Sequence, residues 1–399
     1  MSRDRITQLR VSGLRAIRQL RLDFSGLTVL IGDNGTGKST LIEALEVLRQ
    51  AAKPVDFVND IINIRHGGLR TLLRRGSEEL TLGITIEGAG PKLSYDLKLG
   101  MQGRSTVVLA ETLELFGDTE APEPLHALTR TQQKLSVFDV RERRPVAQET
   151  LPAPPPSVLA LSMVDAQQQP AVRRATDALE RIEAHFPFET RPLWQQRELE
   201  LRNGPRWPSL FSATDSLARY ALNLPAAYSA LRDRGEELWS RVLDRARLGL
   251  GPDLRSFRLP PVGRGEIDLE LVFGKAPDKP LPVDCLSDGQ LSYLAFIALV
   301  ELNEERSLLA FDEPELHLHP ALLSRVVWML EELSERTPVI LSTHSDRLLD
   351  ALTEPVKSVV LCESDEDDGV RLRRPNAERL ADWLEHYIGL GSIRAAGYQ

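Results

Sequence analysis

Eight consecutive residues constrain this chain more than any others: Gly32-Asp33-Asn34-Gly35-Thr36-Gly37-Lys38-Ser39. They fit in full the phosphate-loop pattern of a glycine, any four residues, then Gly-Lys-Ser. The run Leu27–Ile31 before them is short and apolar, as a buried strand is. In the segment after them, Leu41, Leu45 and Leu48 recur at helical spacing. A glycine-rich turn between strand and helix is the context in which the pattern works. The glycines let backbone N–H groups turn inward around phosphate oxygens, and the start of the next helix adds its dipole. Lys38 is expected to reach the terminal phosphates and the Ser39 hydroxyl to bind Mg²⁺, so Gly32 to Thr40 is the expected nucleotide segment. The plain alternative is a glycine-rich turn with a chance Lys-Ser, which the flanking elements disfavour.

Three further segments carry chemistry. Ser307–Phe311 reads as an apolar strand ending in Asp312-Glu313. Such a strand would deliver Asp312 to a metal and aim Glu313 at an attacking water, as general base or as its orienter. Leu286-Ser287-Asp288-Gly289-Gln290 opens a helix that Ser287 or Asp288 can cap. A capped helix start is itself an anion site. Leu341-Ser342-Thr343-His344-Ser345 follows one more strand. A lone histidine is usually unremarkable, but its place one strand after the paired carboxylates makes His344 a catalytic candidate with Glu313 and Lys38.

The order phosphate loop, Leu286–Gln290, paired carboxylates, His344 resembles that of ABC ATPases. Leu286–Gln290 looks like the ABC signature, usually written LSGGQ, with Asp288 in place of the first glycine. The resemblance implies that Ser287, the Gly289 N–H and the helix start touch the γ-phosphate held by the opposite subunit. It also implies that His344 is the switch histidine. Asp312-Glu313-Pro314-Glu315-Leu316-His317-Leu318-His319-Pro320 and Val11-Ser12-Gly13-Leu14-Arg15 resemble the SMC/RecF/OLD-like branch, in particular AAA_21-like single-chain ATPases. There an arginine in the first turn can approach the phosphates, which makes Arg15 a candidate. The implied cofactors are ATP and Mg²⁺, and the implied partner is a second copy, bound head-to-tail around ATP. The family's glutamine loop has no obvious counterpart; His66 is a candidate substitute. His317 and His319 could suggest a zinc pair, but no third and fourth ligand is evident.

The fold class expected is α/β: an ABC-type head with an N-terminal β-rich lobe, a partly parallel core sheet and an inserted, mainly helical lobe. Residues 1–116 would carry the phosphate loop and the β-lobe. Residues 117–265 would be a proline-rich linker followed by the helical insertion, with 117–156 read as loop and Glu236–Leu248 as the clearest helix. Residues 266–399 would complete the head and end in a helix near Ala377–Tyr387. The chain has 399 residues, two cysteines without metal spacing and a net charge of -9. DNA contact would therefore need a local basic patch, such as Arg65, Arg70, Arg74 and Arg75 or Arg371, Arg373 and Arg374; such runs are more often solvated faces. No signal region or membrane-length apolar run is evident, and a cytoplasmic protein without a membrane partner is expected. The reading is an ATP-driven switch coupled to DNA or to a nuclease or effector, in DNA repair or anti-phage defence. The C-terminal nuclease domain of OLD-type proteins is not expected in the stretch after His344, so a nuclease would be a separate polypeptide. The rivals are an ATP-sensing scaffold that regulates a toxin or nuclease and, less favoured, a transporter ATPase subunit.

Overall fold

The computed structural model describes residues 3–117, 124–139, 144–145, 154–199, 204–303, 305–365 and 369–375. In sequence order, β1 (Arg5–Leu14), β2 (Ile17–Asp23) and β3 (Leu27–Gly32) precede α1 (Lys38–Gln50). The next strands are β4 (Glu79–Glu87), β5 (Lys92–Gln102), β6 (Ser105–Phe116), β7 (Leu125–Thr131) and β8 (Leu135–Asp139). Then come α2 (Pro170–Glu180), β9 (Ile182–His185), α3 (Leu224–Asp233), α4 (Glu236–Leu250) and α5 (Asp288–Leu302). β10 (Leu308–Asp312), α6 (Pro320–Ser334), β11 (Val339–Thr343), β12 (Val359–Asp365) and β13 (Gly369–Arg373) complete the set.

These strands share one sheet, ordered β9-β10-β11-β3-β12-β13-β2-β1-β4-β5-β6-β7-β8, with Arg144–Pro145 at its far edge. From β9 to β12 all pairings are parallel; from β12 to β8 all are antiparallel. The parallel half is covered on both faces, which is why its strands are near-continuous apolar runs. Leu27, Val29 and Ile31 of β3 join one core and Leu30 the other. Leu309 and Phe311 of β10 alternate with Leu308 and Ala310 in the same way. One core lies under α1 and α2 and runs on into the antiparallel lobe. The other holds α3, α4, α5 and α6. Every residue of α5 from Leu291 to Leu302 is buried, as expected of a helix apolar on all sides and enclosed by its neighbours.

The segment 117–156 departs from its reading as loop. β7 and β8 form a hairpin there, extending the sheet beyond β6, with Leu128 opposite Val137 and both buried. The prolines that suggested a linker fall outside these two runs. The run Pro154-Pro155-Pro156 is itself fastened: the buried Arg130 donates to the carbonyls of Pro155 (2.7 Å) and Val158 (2.6 Å). Two elements from within 117–265 enter the head. α2 packs on α1, and β9 pairs in parallel with β10. The expected helix near Ala377–Tyr387 lies outside the described residues. Among the described residues, no helix is long and apolar enough to cross a membrane.

Candidate nucleotide site

The parallel register brings the chemistry to one edge. Asp312 pairs with Ser342, Thr343 with Ile31, and Gly32 with Cys362, so β10, β11, β3 and β12 end together at the phosphate loop. Ligands of open α/β sheets bind at this carboxyl edge. Gly35 and Gly37 both have φ of 82°, in the left-handed region that glycine enters without strain. At Gly32 a Cβ would stand 2.1 Å from the carbonyl oxygen of Cys362, so no side chain fits between the loop and β12. Burial pushes the Cys362 thiol up to about 12, which leaves it a neutral neighbour of the loop.

Asp33, Asn34 and Gly35 are exposed at the tip, whereas Thr36, Gly37 and Lys38 are buried. The Lys38 ammonium curls back over the loop, donating to the carbonyls of Gly32 (2.8 Å) and Asp33 (2.9 Å). The Thr36 hydroxyl donates to the Asp33 carbonyl at 2.8 Å. α1 begins at Lys38; Ser39 is exposed on its first turn and Thr40 half-buried. The Ser39 hydroxyl donates to Asp312 Oδ1 at 3.0 Å, and Ser342 donates to the same oxygen. A hydroxyl and a carboxylate from two elements are hard oxygen donors, few in number. Such a set is compatible with Mg²⁺, which keeps most of its shell for water and phosphate oxygens.

Glu313 follows with φ of 52°, a left-handed conformation that costs a side-chain-bearing residue roughly 1–2 kcal/mol. Its N–H donates to the Ser342 carbonyl at 2.9 Å, which ties the turn to β11. Its carboxylate lies 3.9 Å from His344 Nε2. Glu315, given no role from sequence, joins the two loops. It accepts from the Thr343 hydroxyl at 2.6 Å and from the His344 N–H at 3.2 Å. Burial raises its carboxyl above the usual range, against the effect of these bonds. His319 Nδ1 accepts from the Ala321 N–H and caps α6.

Arg15 and His66 meet on one carboxylate. Arg15 donates to both oxygens of Glu43 on α1 (2.7 and 2.9 Å), and His66 Nδ1 lies 3.1 Å from Oε1. Burial opposes the charge on Glu43, but the bonds from His66 and Arg15 hold its carboxyl below the usual range. Spacing on α1 could have flagged Glu43, which lies one turn beyond Ser39.

Ser287 is exposed at the start of α5 and forms a capping box with Gln290: its hydroxyl accepts the Gln290 N–H at 3.3 Å, and its N–H donates to Gln290 Oε1 at 3.1 Å. Gly289 packs against the loop after the carboxylates, where a Cβ would stand 2.7 Å from the His317 carbonyl oxygen. Of the basic runs, Arg65, Arg70 and Arg75 are exposed, and Arg74 donates to the Ala16 carbonyl. Arg373 lies 4.0 Å from Glu363, and Arg374 donates to the carbonyls of Lys357 and Asp23.

Residues 228–350 match the AAA_21 model, described as "AAA domain, putative AbiEii toxin, Type IV TA system". Residues 5–96 match AAA_15, an AAA ATPase domain. The Septu protein PtuA of Bacillus thuringiensis is 24% identical over 106 residues, 25% of this chain and 26% of that protein. Protein ea59 of Escherichia phage lambda is 35% identical over 102 residues, 25% of this chain and 19% of that protein. The matches thus span about a quarter or less of these relatives. Among solved structures, an Smc head bound to the C-terminal winged-helix domain of ScpA superposes with a TM-score of 0.52 at 14% identity, covering 95% of this chain and 99% of that one. An Smc head with an extended coiled coil, bound to the C-terminal domain of ScpA from Pyrococcus furiosus, gives 0.51 at 14% identity, covering 96% and 99%. Two segments of this chain thus match AAA-type ATPase domain models, and its fold is similar to that of Smc head domains.

Proposed function

We propose that this chain is an ATP-hydrolysing switch of the ABC type, two copies of which close head-to-tail around ATP. The observation that carries the reading is the shared strand edge. It sets Lys38 in the phosphate loop, joins Ser39 to Asp312, and brings Glu313 within 3.9 Å of His344. In this reading the loop N–H groups and Lys38 hold the β- and γ-phosphates, with Lys38 trading its carbonyl partners for phosphate oxygens. Ser39 and Asp312 would hold Mg²⁺, which neutralises charge building on the transferred group. Glu313 orients the attacking water or takes its proton, and His344 donates to the γ-phosphate. Phosphoryl transfer of this kind is mostly positioning and charge stabilisation. Ser287 and Gly289 complete the site of the other copy, so a lone copy holds ATP but turns it over slowly.

The cycle would be coupled to DNA, through the exposed Arg65, Arg70 and Arg75, or to a separately encoded nuclease or effector. The local likeness to the Septu protein PtuA favours the anti-phage setting over DNA repair. The test is a pair of variants. Lys38→Ala abolishes ATP binding. Glu313→Gln keeps it and slows phosphate release by about a hundredfold or more. Equilibrium binding of a fluorescent ATP analogue and steady-state phosphate release read the two effects. Wild-type turnover in Glu313→Gln would remove Glu313 from its role. ATP binding by the wild-type protein without phosphate release would favour the ATP-sensing scaffold.

A further inference from the structure

The α5 start carries an apparent defect for an anion site. Asp288 occupies its first turn, where the usual motif has glycine, and a carboxylate at a helix N-terminus competes with any phosphate brought there. The structure supplies the compensation from a segment distant in sequence. Arg206 is 5% exposed, and its Nη2 donates to Asp288 Oδ1 at 2.6 Å. The same guanidinium donates to the carbonyls of Asp284 and Leu286, both at 2.7 Å, and of Thr190 at 2.8 Å. It therefore holds the turn just before Ser287 through two carbonyls and the residue just after Ser287 through its carboxylate. Its own loop is pinned: Trp207 Nε1 donates to Gln196, Gln196 donates to the Arg191 carbonyl at 2.7 Å, and the Arg197 guanidinium lies 5.8 Å from the Trp207 ring centre.

We propose that Arg206 is a positioning residue for the γ-phosphate site of the opposite copy. Its buried fork neutralises Asp288 and fixes the Asp284–Leu286 turn, so that the Ser287 hydroxyl and Gly289 N–H are presented to a polyphosphate anion held by the other head. A forked, delocalised cation suits this task because one group must serve a carboxylate and several carbonyls at once. The inference rests on the head-to-tail reading of the preceding section and adds to it a residue outside the signature. Arg206 acts through Asp288 and the turn; it does not touch its own phosphate loop.

Its test separates the signature side of the site from the phosphate-loop side. Arg206→Ala should lower ATP turnover by about a hundredfold, the scale of loss when a contact is misplaced by an ångström, while ATP affinity of the isolated head stays within about twofold of wild type. Arg206→Ala/Asp288→Gly should regain a large part of the turnover, because the uncompensated carboxylate is gone. Mixed with inactive Lys38→Ala, the Arg206→Ala protein should regain activity, since one site then has an intact loop and an intact signature turn. Mixed with Ser287→Arg it should not. Where the alanine variant does not fold, Arg206→Lys replaces it; a point charge without the fork should give a smaller loss with the same mixing pattern. Mixing Lys38→Ala with Ser287→Arg is the control, and if that pair stays inactive the head-to-tail reading itself fails. If the control works, any one of three results overturns the proposal: wild-type turnover in the Arg206 variants, recovery with Ser287→Arg, or no rescue by Asp288→Gly.

Discussion

Glu315 binds the two chemical loops of one edge together, and its protonation leaves a signature on stability. Burial raises its carboxyl above the usual range although Thr343 and the His344 N–H donate to it, and its Oε2 is buried without a hydrogen-bond partner. A carboxyl raised in the folded state favours folding while it is protonated. That advantage is fully present below the unfolded value, about 4.3, and is lost as pH rises through the folded value. Glu315→Gln keeps an acceptor for both donors and removes the buried charge. Its melting temperature should therefore exceed that of wild type near pH 8, and the gap should close near pH 4. A constant difference across that range would show that the carboxyl's charge is not the cause. Lys38, Ser39, Asp312 and Glu313 could be singled out as candidates because each sits in a contiguous pattern with its own strand or helix, and the sheet brings them to one edge. Glu315 was visible as a letter of a resembling motif, but its bonds to Thr343 and His344 exist only once β10 and β11 lie side by side. Arg206 was illegible in the sequence, since its partner Asp288 lies 82 positions away.

At the scale of elements, the sheet edge is held by a buried charge cluster. β9 is only four residues long and would be a weak edge by pairing alone. Glu183 on β9 receives Arg306 Nε at 3.1 Å, with Asn303 donating to its other oxygen, and His185 lies close by. Burial opposes its charge, but Arg306, His185 and Asn303 outweigh it and bring the Glu183 carboxyl down to about 2. A depressed carboxyl contributes stability that is present above the unfolded value and lost as pH falls through the folded one. The wild-type protein should therefore lose stability between about pH 5 and pH 2. Glu183→Gln should show a flatter acid limb and a cost of about 3–5 kcal/mol near pH 7, because Arg306 is left buried without its counter-charge. Melting temperature against pH reads both effects, and parallel acid limbs would contradict the assignment. The long elements were legible: the apolar spacing that marked α1, and the strands that frame it, correspond to what the sheet holds. β9 was not, because four residues following directly on α2 show no period. β7 and β8 were hidden by the proline density around them, though neither run contains a proline.

At the scale of the molecule, the order of motifs announced one head built from two distant parts of the chain. β3 lies between β11 and β12, so the N-terminal phosphate loop sits on strands supplied by the C-terminal part. The sequence did not reveal how far the middle of the chain enters that head, because a strand's place in a sheet depends on partners far away in sequence. The central claim is that ATP joins two such heads and that hydrolysis parts them. Sedimentation velocity of Glu313→Gln, with and without Mg-ATP, tests it most directly, since under the proposed mechanism this variant keeps nucleotide and hydrolyses it only slowly. The account predicts a monomer without nucleotide, a dimer with Mg-ATP, and a monomer again when Ser287→Arg is added to the same chain. A Glu313→Gln protein that binds ATP yet sediments as a monomer at micromolar concentration would contradict it.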